Sequence, residues 1–155
     1  MRFIAHRGNL VGPKIDLEND PNYIEKALTL GFDVEIDLWF VESDLKFFLG
    51  HDYPQYLITL GWLEKYSEHL WIHCKNNKAI LEVSKNKNLH YFWHQNDDYT
   101  ITSKGYIWAY PGQEVNSKSV LVLPERTYDI SKFDLSKLGA FAICSDYVED
   151  LNNYI

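Results

Sequence analysis

The stretch Gly31 to Asp52 (GFDVEIDLWFVESDLKFFLGHD) constrains the chain more than any other. In a β-strand successive side chains point to opposite faces. Asp33, Glu35 and Asp37 then share one face, and Val34, Ile36, Leu38 and Phe40 share the other. A solvated strand face would carry mixed charges. Three carboxylates stacked in one short strand repel one another unless a cation lies among them. A second apolar run, Phe47-Phe48-Leu49, ends in Gly50-His51-Asp52. An acidic strand face followed by a strand-end histidine is the pattern of a metal-assisted active site.

The flanking segments supply a frame. Arg2 to His6 reads as a short strand closed by Gly8. Asp20 is placed to cap a helix whose first position is Pro21, whose buried stripe is Ile24, Ala27 and Leu28, and which Gly31 ends. With the acidic strand and a tight turn near Ser43-Asp44, this makes one β-α-β unit and a hairpin-like extension. Further on, a helix is expected from about Leu57 to Tyr66. The strand Leu70 to Lys75 then puts Trp71, His73 and Lys75 on one face. Asn76 or Asn77 caps a short helix that buries Ala79, Ile80 and Val83. Strands are expected at Leu89 to His94, Tyr106 to Tyr110, Ser119 to Leu123 and Ala140 to Cys144, and a short helix at Ser131 to Leu138. Tyr99 to Ser117 shows no helical pattern.

Strands alternating with helices point to the α/β class with parallel pairing. Counting the hairpin piece gives about eight strands, hence a small, reduced TIM-type (β/α) barrel. A full barrel of this kind takes roughly 250 residues, so several outer helices must be short or missing. The competitor, an open doubly wound sheet, lacks its Gly-rich loop after the first strand. The barrel also places His6, Asp37, Lys75, His94 and Asp146 at strand C-terminal ends, the rim that carries chemistry in such folds.

At 155 residues the expectation is one domain spanning 1–155 with a real core. A net charge of −7 with no basic stripe argues against nucleic acid as a partner. Cys74 and Cys144 fall inside expected strands, without metal-type spacing, and read as buried thiols of a reducing compartment. Met1 to Ala5 runs straight into a strand, leaving no signal peptide, and no apolar run is long enough for membrane insertion. A cytoplasmic protein is therefore expected. No heptad pattern marks an oligomer interface.

The candidates form a set. Glu35 and Asp37 offer hard oxygen ligands one pleat apart, suited to Mg²⁺ or Ca²⁺. His6 and His51 end two segments flanking the acidic strand, and two histidines on opposite sides of a substrate can serve as general acid and base near neutral pH. Arg7 and Lys75 are cations able to hold an anionic group. Singly, each has an ordinary explanation: a solvated carboxylate face, a structural histidine, an Arg7–Glu18 pair, an exposed lysine. Their common position at strand ends weighs against that.

These residues also resemble a known family. Ile4-Ala5-His6-Arg7-Gly8, Glu18-Asn19, Gly31 to Asp37 and Gly50-His51-Asp52, in that order, are similar to the glycerophosphodiester phosphodiesterases, a TIM-barrel family. Gly139 to Tyr147 (GAFAICSDY) resembles that family's closing strand, which suggests a complete but shortened barrel. The resemblance implies a divalent metal on Glu35 and Asp37, acid–base histidines at His6 and His51, and phosphate contact from Arg7. The family's Glu-Ile-Lys strand, which supplies a third metal ligand and a phosphate-binding lysine, corresponds to His73-Cys74-Lys75. Lys75 keeps the phosphate role, and His73 replaces the carboxylate with a softer ligand, which can alter metal choice. From about Asn76 to Lys137 the likeness is weak. The expected function is metal-dependent hydrolysis of a small soluble glycerophosphodiester-like substrate. The alternative is a catalytically inactive protein that binds a phosphorylated metabolite. A sugar-phosphate isomerase or lyase using Glu35 or Asp37 as base ranks last, because it leaves the paired histidines unused.

Overall fold

The structure, a computed structural model, describes residues 1–132 and 134–153. Its elements in chain order are β1 (Arg2–His6), α1 (Pro21–Thr29), β2 (Asp33–Val41), β3 (Lys46–Leu49), β4 (Tyr56–Ile58), α2 (Leu60–Lys65), β5 (Leu70–Cys74), α3 (Asn77–Val83), β6 (Tyr91–Phe92), β7 (Tyr99–Ile101), β8 (Ile107–Ala109), β9 (Ser119–Val122), β10 (Ala142–Ser145) and α4 (Val148–Asn152). The local signals behave as their chemistry requires. The Asp20 side chain accepts a hydrogen bond from the Asn22 amide ahead of Pro21. Asn76 does the same for the Ala79 amide at the start of α3.

The ten strands form one curled mixed sheet, a half-barrel, rather than the expected TIM-type barrel. A parallel block runs β8–β9–β10–β1–β2–β5–β6. Antiparallel pairs extend it, with β3 on β2, β4 on β3 and β7 on β8. The open sheet has a chain-length cause. No α-helix follows β6, β8 or β9 among the described residues; loops and single 3₁₀ turns at Pro124–Arg126, Ile130–Lys132 and Leu135–Lys137 stand there instead. The expected helix at Ser131 to Leu138 is replaced by two of those turns, and its Phe133 lies outside the described residues. The expected helix from Leu57 begins only at Leu60, because Tyr56–Ile58 pairs as β4. The free edges β6 and β7 are joined by isolated bonds, not by a ladder: the Ser103 amide donates to the Tyr91 carbonyl at 2.8 Å, and Thr100 Oγ1 to the Trp93 carbonyl at 2.9 Å.

Strand β2 is the axis. At nine residues it outruns both neighbours. Its first half pairs with β1 on one edge (His6 opposite Glu35) and β5 on the other (Asp37 opposite His73). Its protruding second half takes β3 antiparallel. Two asparagine side chains complete its backbone bonding where strands stop. Asn19 Oδ1 accepts from the Asp37 amide at 2.9 Å. Asn76 accepts from the Phe40 amide and donates to the Phe40 carbonyl.

Strand alternation divides the core. Phe3, Ala5, Val34, Ile36, Leu38, Ile72 and Ile143 pack outward in the cluster that includes Ile24, Ala27, Leu63, Ala79, Val83 and Leu151 from the helices. Ile4, Trp71, Phe92, Trp108, Val120, Val122, Ala142 and Cys144 fill the concave side. Both cysteines are free and buried, and burial pushes the Cys74 thiol up to about 12. No described helix is long and apolar enough to cross a membrane.

Gly50 ends β3 with φ 150°, its amide bonded to the Asp37 carbonyl and its own carbonyl accepting from Trp39 Nε1. A Cβ there would meet the Tyr53 carbonyl oxygen at 2.2 Å. Gly50→Ala is therefore expected to cost about 2 kcal/mol and to lower the thermal midpoint by roughly 4–8 °C. A thermal melt checks this, and an unchanged midpoint would show the 50–53 turn to be slack.

Candidate functional site

The concave face carries the site at the C-terminal ends of the parallel strands. The chain leaves β1 through Arg7 (φ 53°) and Gly8 (φ 88°), both left-handed. That turn lets the Arg7 amide bond the Glu35 carbonyl at 3.0 Å while its guanidinium reaches β2. Asn19, also left-handed (φ 64°), donates Nδ2 to Asp37 Oδ2 at 2.9 Å. Asn9 joins the segments, since its Nδ2 is 2.9 Å from Glu18 Oε1 and 2.8 Å from Asp146 Oδ1. Asp146, just past β10, accepts from His6 Nδ1 at 2.7 Å. The neutral His6 ring therefore carries its proton on Nδ1, leaving the Nε2 lone pair on the side of Glu35, 3.9 Å away.

Glu35 and Asp37 lie side by side and are both buried. Asp37 is heavily compensated. Arg7 Nε is 2.9 Å from its Oδ2, while Lys75 Nζ (3.4 Å) and His73 Nδ1 (3.2 Å) face Oδ1. Burial works against its charge, but His73, Arg7 and Lys75 outweigh it and hold this carboxyl well below the usual range. Glu35 has the opposite balance. Burial and the neighbouring Asp37 charge raise its pKa, and its Oε2 has no hydrogen-bond partner. His73 Nε2 donates to the His94 carbonyl at 2.8 Å. In the neutral ring this leaves the Nδ1 lone pair aimed at two carboxylates, an arrangement that needs a proton or a metal cation between them.

Ligand atoms of Glu35, Asp37 and His73 all lie within 4.8 Å of one another. The orphaned Glu35 oxygen and the inward lone pair of His73 fit a divalent cation. Two carboxylates with one imidazole suit Mg²⁺ or Ca²⁺ less exclusively than an all-oxygen set would, and admit Mn²⁺ or Zn²⁺. Asp33 does not belong with them. It lies at the other end of the strand, bonded to Arg2 (3.0 Å), His69 Nδ1 (2.9 Å) and Trp71 Nε1 (3.2 Å). Its charge is met by protein groups.

A cleft opens over the cluster in two lobes. One, about 420 Å³, is lined by Glu35, His73, Lys75, His94, Trp108 and Tyr110 among others. The other, about 650 Å³, runs along Asp16, Glu18, Asp52, Tyr53 and Tyr147. His6, Arg7, His51 and Arg126 border both lobes. His51 is exposed, and its Nδ1 lies 2.7 Å from Asp52 Oδ1. Burial and the Arg7 charge lower its pKa. His6 goes the other way. Burial opposes its charge, but the Asp146 hydrogen bond and the field of Glu35 outweigh this and raise its pKa above the ordinary 6.5.

The structure thus gathers His6, Arg7, Glu35, Asp37, His51, His73 and Lys75 around one cleft. Arg7 does pair with Glu18, at 2.9 Å, while also reaching Asp37. The positioning roles of Asn9, Asn19 and Asp146, and the presence of Arg126, are not readable from spacing. Asp146 had a partial signal as a strand-end carboxylate. No protein-family model, curated protein or solved structure matches the chain.

Two outcomes are expected. A divalent cation at one hundred times its Kd should stabilise the protein by about 2.7 kcal/mol and raise the midpoint roughly 5–10 °C. Glu35→Gln should abolish that rise without lowering the metal-free midpoint, as read by calorimetry after chelation. The second concerns His6. A native pKa above 6.5 means that its pairing stabilises fully below that value and is lost as pH rises through the native pKa. Asp146→Asn should bring the His6 pKa down and flatten this pH dependence. Proton NMR titration of the ring reads the pKa directly.

Proposed function

We propose that the protein is a metal-assisted phosphodiesterase acting on a small soluble phosphodiester, with His6 and His51 as its acid–base pair. The observation that carries this reading is the meeting of two histidines from separate segments over the Glu35–Asp37–His73 cluster in one cleft. A divalent cation held by these three residues would supply charge neutralisation for a phosphoryl oxygen.

The chain's own groups have defined tasks in this scheme. Asp146 fixes the His6 ring so that Nε2 exchanges protons on the cleft side. His51, on the opposite segment, exchanges through Nε2 because Nδ1 faces Asp52. One imidazole takes the proton of the attacking hydroxyl, from water or from a neighbouring alcohol of the substrate. The other returns a proton to the departing alkoxide. Lys75 and Arg7 hold Asp37 ionised, which keeps it a competent ligand for the cation. The glycerophosphodiester-like substrate expected from the sequence is kept as the first to assay.

One observation favours the binding-only reading. Asp37 already contacts Arg7, Lys75 and Asn19, which weakens its hold on a cation. Hydrolysis of bis(p-nitrophenyl) phosphate and glycerophosphocholine after metal restoration separates the two. His6→Ala and His51→Ala are each expected to lower kcat by roughly 10²–10⁴. Full activity in both variants would refute the acid–base assignment, and metal binding without turnover would favour the binding-only protein.

A further inference from the structure

The cations lining the cleft are Arg7, Lys75 and Arg126, and they are not equivalent. Arg7 has its guanidinium against Asp37 and Glu18, each at 2.9 Å. Lys75 faces Asp37 at 3.4 Å. Both are committed to neutralising carboxylates of the protein. Arg126 is exposed and makes no side-chain hydrogen bond or ion pair with a described residue. It borders both lobes, as do His6 and His51.

Its placement is built. β9 ends at Val122, and the next residue, Leu123, is buried and held in the left-handed region (φ 46°, ψ 54°), a conformation unfavourable for any residue with a Cβ. From there the chain turns through Pro124–Arg126, with the Arg126 amide bonded to the Leu123 carbonyl at 3.0 Å. Glu125 anchors the turn to the end of β10: Oε2 accepts from Ser145 Oγ at 2.9 Å and Oε1 from the Asp146 amide at 2.8 Å. With both oxygens occupied, Glu125 is not the partner of Arg126. The same anchoring ties the turn to Asp146, the residue that orients His6. A strained, doubly pinned turn therefore presents an unpaired guanidinium beside the proposed acid–base pair.

From this placement we infer that Arg126 is the principal phosphate anchor of the cleft, gripping non-bridging oxygens of a phosphate at the junction of the two lobes. The choice of phosphate as the anion rests on the phosphodiesterase reading. The guanidinium fork suits two phosphate oxygens, where an ammonium would act only as a point charge. A phosphodiester held there has one organic arm in each lobe, one beside His94, Trp108 and Tyr110, the other beside the acidic wall of Asp16, Glu18 and Asp52. That wall repels further negative charge, so the substrate is a diester with one anionic centre in preference to a polyphosphate.

The test is calorimetric titration of inorganic phosphate into the wild-type protein, Arg126→Gln, Arg126→Lys and, as a surface control, Lys132→Gln. Arg126→Gln is expected to weaken phosphate binding about tenfold, Arg126→Lys to recover part of the loss, and the control to bind as wild type. Arg126 is exposed, so the folded state of its variants is expected to persist and is checked by circular dichroism. Unchanged affinity in Arg126→Gln, or no phosphate binding by the wild type, overturns the inference. In bis(p-nitrophenyl) phosphate hydrolysis the expected effect of Arg126→Gln is a raised KM with little change in kcat. Arg126-dependent phosphate binding in a wild-type protein that hydrolyses no diester would leave the anchor standing while the phosphodiesterase reading falls.

Discussion

The structure depends on how two adjacent carboxylates are kept inside the sheet. Glu35 and Asp37 project from the central strand into the concave face and are shielded from water. A buried charge costs several kcal/mol unless matched, and a matched pair rarely stabilises more than apolar packing would. Asp37 is matched by Arg7, His73, Lys75 and Asn19, drawn from three separate segments. Glu35 is left with a raised pKa and an unpaired oxygen. Packing alone would favour Val or Ile at both positions. Keeping acids there is what the proposed cation site would require.

Backbone strain follows the same geography. Among the described residues, the non-glycine residues with positive φ are Arg7, Asn19, Leu45 and Leu123. Leu45 belongs to the β2–β3 turn, where a left-handed residue is ordinary. Each of the others brings a group to the cleft: Arg7 to Asp37, Asn19 to the same carboxylate and its amide, and Leu123 the turn that carries Arg126. Such conformations persist only where the surroundings over-determine them, and here hydrogen bonds from neighbouring strands do so.

Much of the parallel block was legible because its signals are local. The Asp20-Pro21 cap, the Asn76 cap and the alternation of β2 rest on interactions within a few residues, and each forms as its chemistry predicts. The barrel expected from the sequence does not form, and the failure to close was not legible. Closure would turn on strands such as β6, which pairs over only two residues, Tyr91 and Phe92, too short for a periodic pattern. Missing helices after β6, β8 and β9 leave an open curled sheet where a repeating β/α pattern would have closed a cylinder. Asp33 misled for a related reason. Alternation assigns a face but not a height along it, and at the lower end Arg2, His69 and Trp71 meet its charge.

The sequence by itself determined which side chains share a face of β2, that a histidine ends β1 and another follows β3, and that basic residues lie within reach of the acidic strand. Those facts follow from a period of two and from residue identity. Only the tertiary structure decided that Arg7 and Lys75 have their charges answered by Asp37 while Arg126, more than a hundred positions away from Arg7, has no side-chain partner among the described residues at the same cleft. The physical reason is that charge compensation is a property of distance in space. Residues far apart along the chain become neighbours only when β1, β2, β5, β9 and β10 pair, and no spacing rule along the chain records that pairing.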